Sequence, residues 1–263
     1  MKIAVIFDSK SKGGGGYFQS LNSSLLLKKL ENNIISLSFI TPDKDTFRKL
    51  KDEKLNTIFF SNVLFAKLFY QIAQIHLFKF LFAFFKIKNP FVRFLKKNKF
   101  DLVIFLGPSW FIKLCDEINF VSNIYDINFK LDNQFPEYES SSVFNSKNFI
   151  VKKSVDRAFK ILVDTQRSKN ELSKYYNCES KKIVIQPFTP LLPNINKKID
   201  YEKILLKLGL HNKKFFFYPA QFWAHKNHKY IIDAVEILNQ NNNNISFVFC
   251  GSDKGNLNYI KSN

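Results

Sequence analysis

The sequence predicts an α/β protein built from two Rossmann-like units, the second of them incomplete. Three observations carry this. Short, continuous apolar runs recur along the chain, as strands buried on both faces require. They alternate with segments of helical spacing, which implies a parallel sheet covered on both sides. A proline-punctuated stretch, with Pro187, Pro190 and Pro193, divides a long first series from a short second one.

The first strand is expected over residues 2–7 (KIAVIF), bounded by Asp8 and Ser9. A glycine run, residues 13–16, follows as a loop, and residues 17–30 have helical spacing with Phe18, Leu21, Leu25 and Leu26 available for one face. Strand, glycine-rich loop and helix together open a Rossmann-like unit. Residues 34–40 (IISLSFI) read as the next strand, ended by Pro42, and residues 57–60 as a short third. Residues 61–88 form one long aromatic helix or two, stopped by Pro90. Further strands are expected at 100–106, 120–125, 160–163 and 182–185, with helices at 143–159 and 168–176. After the linker come a helix at 201–208 ending at Gly209, a strand at 214–218, a helix at 230–238 with Ile231, Ala234, Val235 and Leu238 on one face, a polar Asn tract at 239–244, a strand at 245–250 with Gly251 at its end, and the start of a helix at 256–260. Residues 1–188 make the first domain and 189–263 the linker and second.

Composition narrows the function classes. The 263 residues include 46% hydrophobic ones, enough for buried cores. Forty Lys and Arg against 22 Asp and Glu give a net charge of +18, a surface that attracts polyanions such as nucleic acid, anionic headgroups or phosphorylated substrates. The same excess also follows from the AT-rich codons of Lys, Asn, Ile and Phe. No zinc-finger or RNP-like signature supports a nucleic-acid partner, and the basic residues are scattered. Cys115, Cys178 and Cys250 form no C-x-x-C pair, so they read as core thiols of a cytoplasmic protein. The opening strand is too short for a signal peptide, and residues 61–87 are interrupted by Lys67, Gln71, Gln74, His76 and Lys79, which argues against a membrane span.

Three segments could carry chemistry. The glycine run places backbone N–H groups at a helix N-terminus, suited to a phosphate or carboxylate, although a plain surface loop reads the same way. It is neither G-x-G-x-x-G nor a P-loop, and the second strand ends without a ribose-binding acid. Residues 218–228 (YPAQFWAHKNH) put Lys226 after a strand and before a helix, where an ammonium can neutralise a diphosphate; the bland alternative is one more solvated lysine. His225 and His228 stand i, i+3 without an acidic cluster beside them, so no metal site is expected. The helix of 61–88 is either core packing or a basic, aromatic surface lying in a membrane interface.

The segment YPAQFWAHKNH, with FVFCGSDKGNLNYI behind its helix, resembles the start of the donor domain in family-4 glycosyltransferases of the GT-B fold. YDINFKLDNQFPEY (residues 125–138) and residues 161–188 resemble two loops of the same family's first domain, in the right order. The resemblance implies a retaining transfer of a sugar from a nucleotide-sugar donor to a glycan or lipid-linked acceptor, without a cofactor or obligatory metal and without nucleic acid, in the cytoplasm or peripherally on the inner face of the membrane. It carries Gly15 and Gly16 over as donor-binding groups, with Lys226 as the diphosphate lysine. Gln221 stands where an Arg is usual, and Gly251 ends the following strand. It makes Tyr125, where a His is usual, and Asp126 the candidates beside the reacting sugar. In the front-face mechanism it implies, the leaving phosphate assists the acceptor hydroxyl. The family's E-x7-E region would fall beyond Asn263, so the resemblance also implies a C-terminally truncated donor domain with impaired activity. The rival reading is a non-catalytic remnant or partner subunit of a split enzyme.

Overall fold

The computed structural model describes residues 1–10, 14–132, 134–189, 200–240 and 245–262. The chain forms two compact units. Unit 1 comprises residues 1–131 and 145–192; unit 2 comprises 132–144 and 193–263.

Unit 1 is a parallel α/β unit. Its strands, in chain order, are β1 (Lys2–Ile6), β2 (Ser36–Thr41), β3 (Thr57–Phe59), β4 (Leu102–Phe105), β5 (Phe120–Asn123), β6 (Lys160–Val163) and β7 (Ile183–Ile185). They lie in the order β3-β2-β1-β4-β5-β6-β7, every pairing parallel. The chain winds outward from β1 to β3, then returns to lay β4 on the other side of β1. The crevice at the C-terminal ends of β1 and β4 is therefore the topological switch point of the sheet, where open α/β sheets take their ligands. Because successive strand residues face opposite ways, Ile3, Val5 and Phe7 enter one core while Ala4 and Ile6 enter the other, and all five are buried. The first core joins them to Tyr17, Leu21, Leu37, Phe39, Leu50 and Leu106. On the other face aromatic rings meet: Phe60 and Phe91 edge to face at 5.4 Å, and Phe105 and Phe120 at 5.8 Å. Each fully buried Phe contributes on the order of 1.5–3 kcal/mol of transfer free energy.

The helices of unit 1 are α1 (Gly15–Lys28), α2 (Lys44–Asp52), α3 (Val63–Ile72), α4 (His76–Phe84), α5 (Pro90–Lys97), α6 (Asn128–Leu131) and α9 (Gln166–Tyr176); α7 (Pro136–Glu139) belongs to unit 2, and α8 (Ser141–Arg157) runs across the division of the chain. Their starts follow local chemistry. Asp43 caps α2 by accepting from the Thr46 N–H, Thr165 caps α9 through the Ser168 N–H, and α9 stops at left-handed Asn177. Pro90 opens α5 at its first turn, where its missing N–H is harmless. The aromatic stretch expected as one or two helices is two, and the next helix begins at the proline expected as a stop.

Two expectations fail in unit 1. α1 buries Tyr17, Ser20, Leu21 and Ser24, while Phe18 and Leu26 are exposed. The serines can be buried because each hydroxyl donates back one turn, Ser20 to the Gly16 carbonyl (2.9 Å) and Ser24 to the Ser20 carbonyl (2.8 Å). Nor are α3 and α4 core helices: α3 buries only Ala66, and α4 buries nothing.

Unit 2 holds a parallel pair, β8 (Phe215–Tyr218) and β9 (Ser246–Phe249), with α10 (Tyr201–Lys207), α11 (His228–Gln240) and α12 (Leu257–Lys261). Asp200 caps α10 through the Lys203 N–H, and Gly209 follows at φ +65°. Ile231, Ala234, Val235 and Leu238 are the partly covered side of α11. No residue of β8 is buried. Most of the linker (190–199) and residues 241–244 of the Asn tract lie outside the described residues; Asn239 and Gln240 end α11. Cys115 and Cys178 are buried as expected of core thiols, but Cys250, one residue beyond β9, is exposed.

Candidate functional site

In unit 1 three of the four sequence candidates, Gly15, Gly16 and Tyr125, line one cavity. Gly14, at φ 71° and ψ −145°, is the N-cap of α1, a conformation open to glycine and strained for other residues. Gly15 and Gly16 are the first turn of the helix itself, not a loop before it. With Phe18, Gln19, Tyr125, Phe188 and Thr189 they line a cavity of about 470 Å³. A Cβ on Gly15 would meet nothing within 4 Å, and one on Gly16 only the Tyr125 ring at 3.9 Å. Packing therefore does not demand glycine at either position, and among the described residues the Gly15 and Gly16 N–H groups have no hydrogen-bond partner, while the Tyr17 N–H donates to the Gly14 carbonyl at 3.0 Å. A helix N-terminus in that state favours an anion.

Tyr125 closes one side. Its hydroxyl donates to the Leu106 carbonyl at 2.9 Å, and its ring meets Phe188 edge to face at 5.1 Å. Burial pushes its pKa up, against a hydrogen bond with the Ser20 hydroxyl. Gly107, in the turn after β4, makes room for it: a Cβ there would stand 2.8 Å from the Tyr125 oxygen. Asp126 is placed differently. It is exposed, does not line the cavity, and accepts from the Asn128 N–H at 3.0 Å, fixing the entry to α6.

The structure adds a pair that strand-boundary reasoning treated as punctuation. Asp8, just past β1, accepts from the Ser109 hydroxyl at 2.7 Å at the switch point. Burial raises its pKa, opposed by Ser109, by the charge of Lys67 and by the Trp110 backbone N–H. A carboxylate ending the first strand of a Rossmann-like unit was the available signal.

In unit 2, Gln221, Lys226 and Gly251 gather around the C-terminal end of β8. The Gln221 amide is held at both ends, donating to the Ser252 hydroxyl at 3.0 Å and accepting from the Trp223 indole N–H at 3.1 Å. The Lys226 side chain is exposed, while its carbonyl accepts from the Tyr218 hydroxyl at 3.0 Å. Gly251 has a packing reason: a Cβ would lie 2.1 Å from the Ala220 carbonyl oxygen. Of the two histidines, His225 bonds through its backbone N–H (3.3 Å) and its ring Nδ1 to Glu137, a carboxylate 88 residues earlier in the chain. Burial works to raise the Glu137 pKa, but the bonds from the His225 ring and from backbone N–H groups outweigh it, and the carboxyl sits below its usual range. The rings of Phe135 and Tyr138 flank the same imidazole. Two segments that carried the resemblance, the later half of 125–138 and 218–228, thus meet within unit 2. His228 is fully buried and stacked on Phe222 at 4.5 Å. Among the described residues no group of three or more His, Cys, Asp or Glu is arranged to hold a metal ion.

No protein-family model matches the sequence, and no curated protein matches it by sequence comparison. Solved structures do match in three dimensions. HepE of Anabaena, solved in complex with UDP-glucose, superposes with a TM-score of 0.65 at 14% identity, over 100% of this chain and 64% of that one. WaaG, a glycosyltransferase involved in lipopolysaccharide biosynthesis, gives 0.56 at 12% identity, over 96% and 64%. The UDP-GlcNAc 2-epimerase of Methanocaldococcus jannaschii gives 0.51 at 13% identity, over 99% and 69%. The chain spans about two thirds of the length of these proteins. Identities this low speak for architecture alone, and on architecture they agree: the chain has the α/β fold of GT-B type, with a seven-stranded parallel sheet in unit 1 and a two-stranded parallel sheet in unit 2.

Proposed function

We propose that this chain binds a nucleotide-sugar donor and belongs to the machinery of retaining glycosyl transfer to a glycan or lipid-linked acceptor, working in the cytoplasm at or near the inner face of the membrane. The observation that carries the reading is the cavity at the N-terminus of α1, lined by Gly15, Gly16 and Tyr125 in a GT-B-type parallel unit. The UDP-glucose complex of HepE and the lipopolysaccharide role of WaaG support the donor class and a cell-envelope acceptor.

In this reading Gly15 and Gly16 of unit 1 offer N–H groups to phosphate oxygens, and Lys226 of unit 2, taken by itself, offers an exposed ammonium suited to a diphosphate. Gln221 and Gly251 act through position: the first is clamped to Ser252 and Trp223, the second lets the ends of β8 and β9 approach. Tyr125 fixes the sugar against the cavity wall. Asp126, outside the cavity, acts through position, holding the entry to α6 just after Tyr125. In the transfer the bond from the anomeric carbon to the phosphate oxygen breaks, the acceptor oxygen bonds on the same face, and the acceptor proton passes to the departing phosphate.

Titration with UDP-glucose tests this. Lys226→Ala removes a charge-assisted contact of about 1.5–3 kcal/mol and weakens binding about tenfold to a hundredfold. Absence of UDP-glucose and UDP binding at millimolar concentration rejects the reading. The uncovered strand β8 favours a second reading, in which residues 1–263 bind the donor without turnover; donor binding with no measurable transfer selects it.

A further inference from the structure

The most unusual surface of unit 1 lies away from the cavity, on the hairpin of α3 and α4. Leu64, Phe65 and Leu68 of α3 are exposed, at 80%, 68% and 52%. So are Leu77, Phe80 and Phe84 of α4, which recur at i, i+3 and i+7 and so form one stripe. Contiguous apolar area on this scale marks an interaction surface. The hairpin is not loose. Phe69 and Phe82 stack across it at 4.4 Å, Asn89 donates to the Ala66 carbonyl at 2.9 Å, and Ala66 itself is buried against the body of the unit.

Charge says what covers the stripe. Residues 54–100 contain eight Lys and one Arg and no Asp or Glu. Lys88 and Lys96 are paired with Glu117 from outside that stretch, but Lys79 and Lys86 have no ion-pair partner among the described residues, and Lys67 lies 5.7 Å over the Trp110 ring. A second copy of the chain would bring this acid-free stretch against itself, with the nearby Glu117 already held by Lys88 and Lys96. An anionic bilayer offers both an apolar interior for the Phe and Leu side chains and negative headgroups for the lysines. The geometry also sets the depth. Helices of ten and nine residues rise about 15 and 13 Å, half a bilayer core or less, and no helix of the described residues is long and apolar enough to cross.

We infer that the α3–α4 hairpin is a membrane-docking surface that lies in the interface of an anionic phospholipid bilayer, with Leu64, Phe65, Leu68, Leu77, Phe80 and Phe84 among the acyl chains and Lys79 and Lys86 at the headgroups. It specifies the membrane side of the proposed function and is independent of sugar transfer, because docking needs neither donor nor acceptor.

The test is co-sedimentation of the full chain with vesicles of phosphatidylcholine alone or with 30% phosphatidylglycerol, ligand-free, at about 0.05 and 0.5 M salt. The expected result is binding to the anionic vesicles that falls at least about tenfold at high salt. Phe80→Asp with Phe84→Asp abolishes it, and Lys79→Glu with Lys86→Glu weakens it about tenfold, each with an unchanged thermal transition because all four side chains are exposed. Equal binding to neutral and anionic vesicles, binding that survives the Phe80/Phe84 change, or a self-associated wild type that the same change makes monomeric without any vesicle binding would each overturn it. Donor titration on the same samples separates failure of docking from failure of the functional reading.

Discussion

Units 1 and 2 are made from the same kind of strand and treat it in opposite ways. β1 reads KIAVI and places four of its five residues in a core; β8 reads FFFY and buries none of them, with Phe216 and Phe217 more than half exposed. The strand chemistry is equivalent, so the difference lies in what is stacked on the sheet. In unit 1 helices cover both faces of seven strands. Among the described residues of unit 2, two strands share their surroundings with three helices and the inserted segment of 132–144. Two-stranded sheets are marginal in water unless something packs on them. Unit 2 is therefore the softer half, and its few tight contacts carry more of its stability.

The largest effect expected from this contrast comes from a matched pair of glycines. Both Gly107 and Gly251 follow a strand, and both exclude a methyl group. The obstacle at Gly107 is the tip of a half-buried Tyr125 ring; at Gly251 it is the Ala220 main chain at 2.1 Å. A side chain can swing away and a backbone carbonyl cannot. Gly251→Ala costs about 3 kcal/mol and collapses hydrogen-exchange protection in unit 2 with little change in unit 1, while Gly107→Ala costs about 1 kcal/mol, confined to unit 1. Equal losses from the two changes would mean that unit 2 is not the softer half.

Next comes Gly16. Glycine in a helix is about 0.5–1 kcal/mol worse than alanine, and nothing within 3.9 Å would oppose a methyl here. Gly16→Ala should raise the unit 1 transition by that amount. The same methyl enters the cavity beside Tyr125, so UDP-glucose binding should weaken about tenfold. A gain in stability with unchanged binding would move the donor away from the α1 terminus.

What was legible in the sequence follows the same division. The order of strands and helices in unit 1 could be read almost throughout, because a strand buried on both faces has to be a continuous apolar run. The tilt of α1 could not: counting large apolar residues chose Phe18 and Leu26, whereas the helix seats Ser20 and Ser24, whose hydroxyls are satisfied by their own backbone. Phe-rich α3 and α4 were ambiguous between core and surface for a related reason, since composition states that a residue is apolar and not whether anything lies opposite it. α2 was missed where charged residues dominate its sequence, although Asp43 offered a cap. At the candidate site, Gly15, Gly16 and Tyr125 line one cavity. Glu137 and His225 lay 88 residues apart, and no local pattern joins them.

The smallest expected effect sharpens the comparison through pH. His228 is enclosed by the rings of Phe222, Tyr218 and Phe249, and neither ring nitrogen has a hydrogen-bond partner among the described residues. Burial lowers its pKa from the usual 6.5; the Ala220 backbone pulls the other way, and the charge of Lys226 adds to the lowering. The unfolded chain takes up a proton near pH 6.5 that the folded unit refuses until lower pH. Between those two values unfolding binds protons, so stability falls as the solution is acidified, by at most about 1.4 kcal/mol per pH unit for one such group. Above pH 6.5 the group has no effect. Glu137, held below its usual 4.5, adds a second loss only as pH drops through and below that value. Unit 2 should therefore lose exchange protection as the pH falls below 6.5, and His228→Phe, which keeps an aromatic ring among the three others and has no proton to gain, should flatten that slope. Survival of the slope in His228→Phe would place the acid sensitivity elsewhere in unit 2.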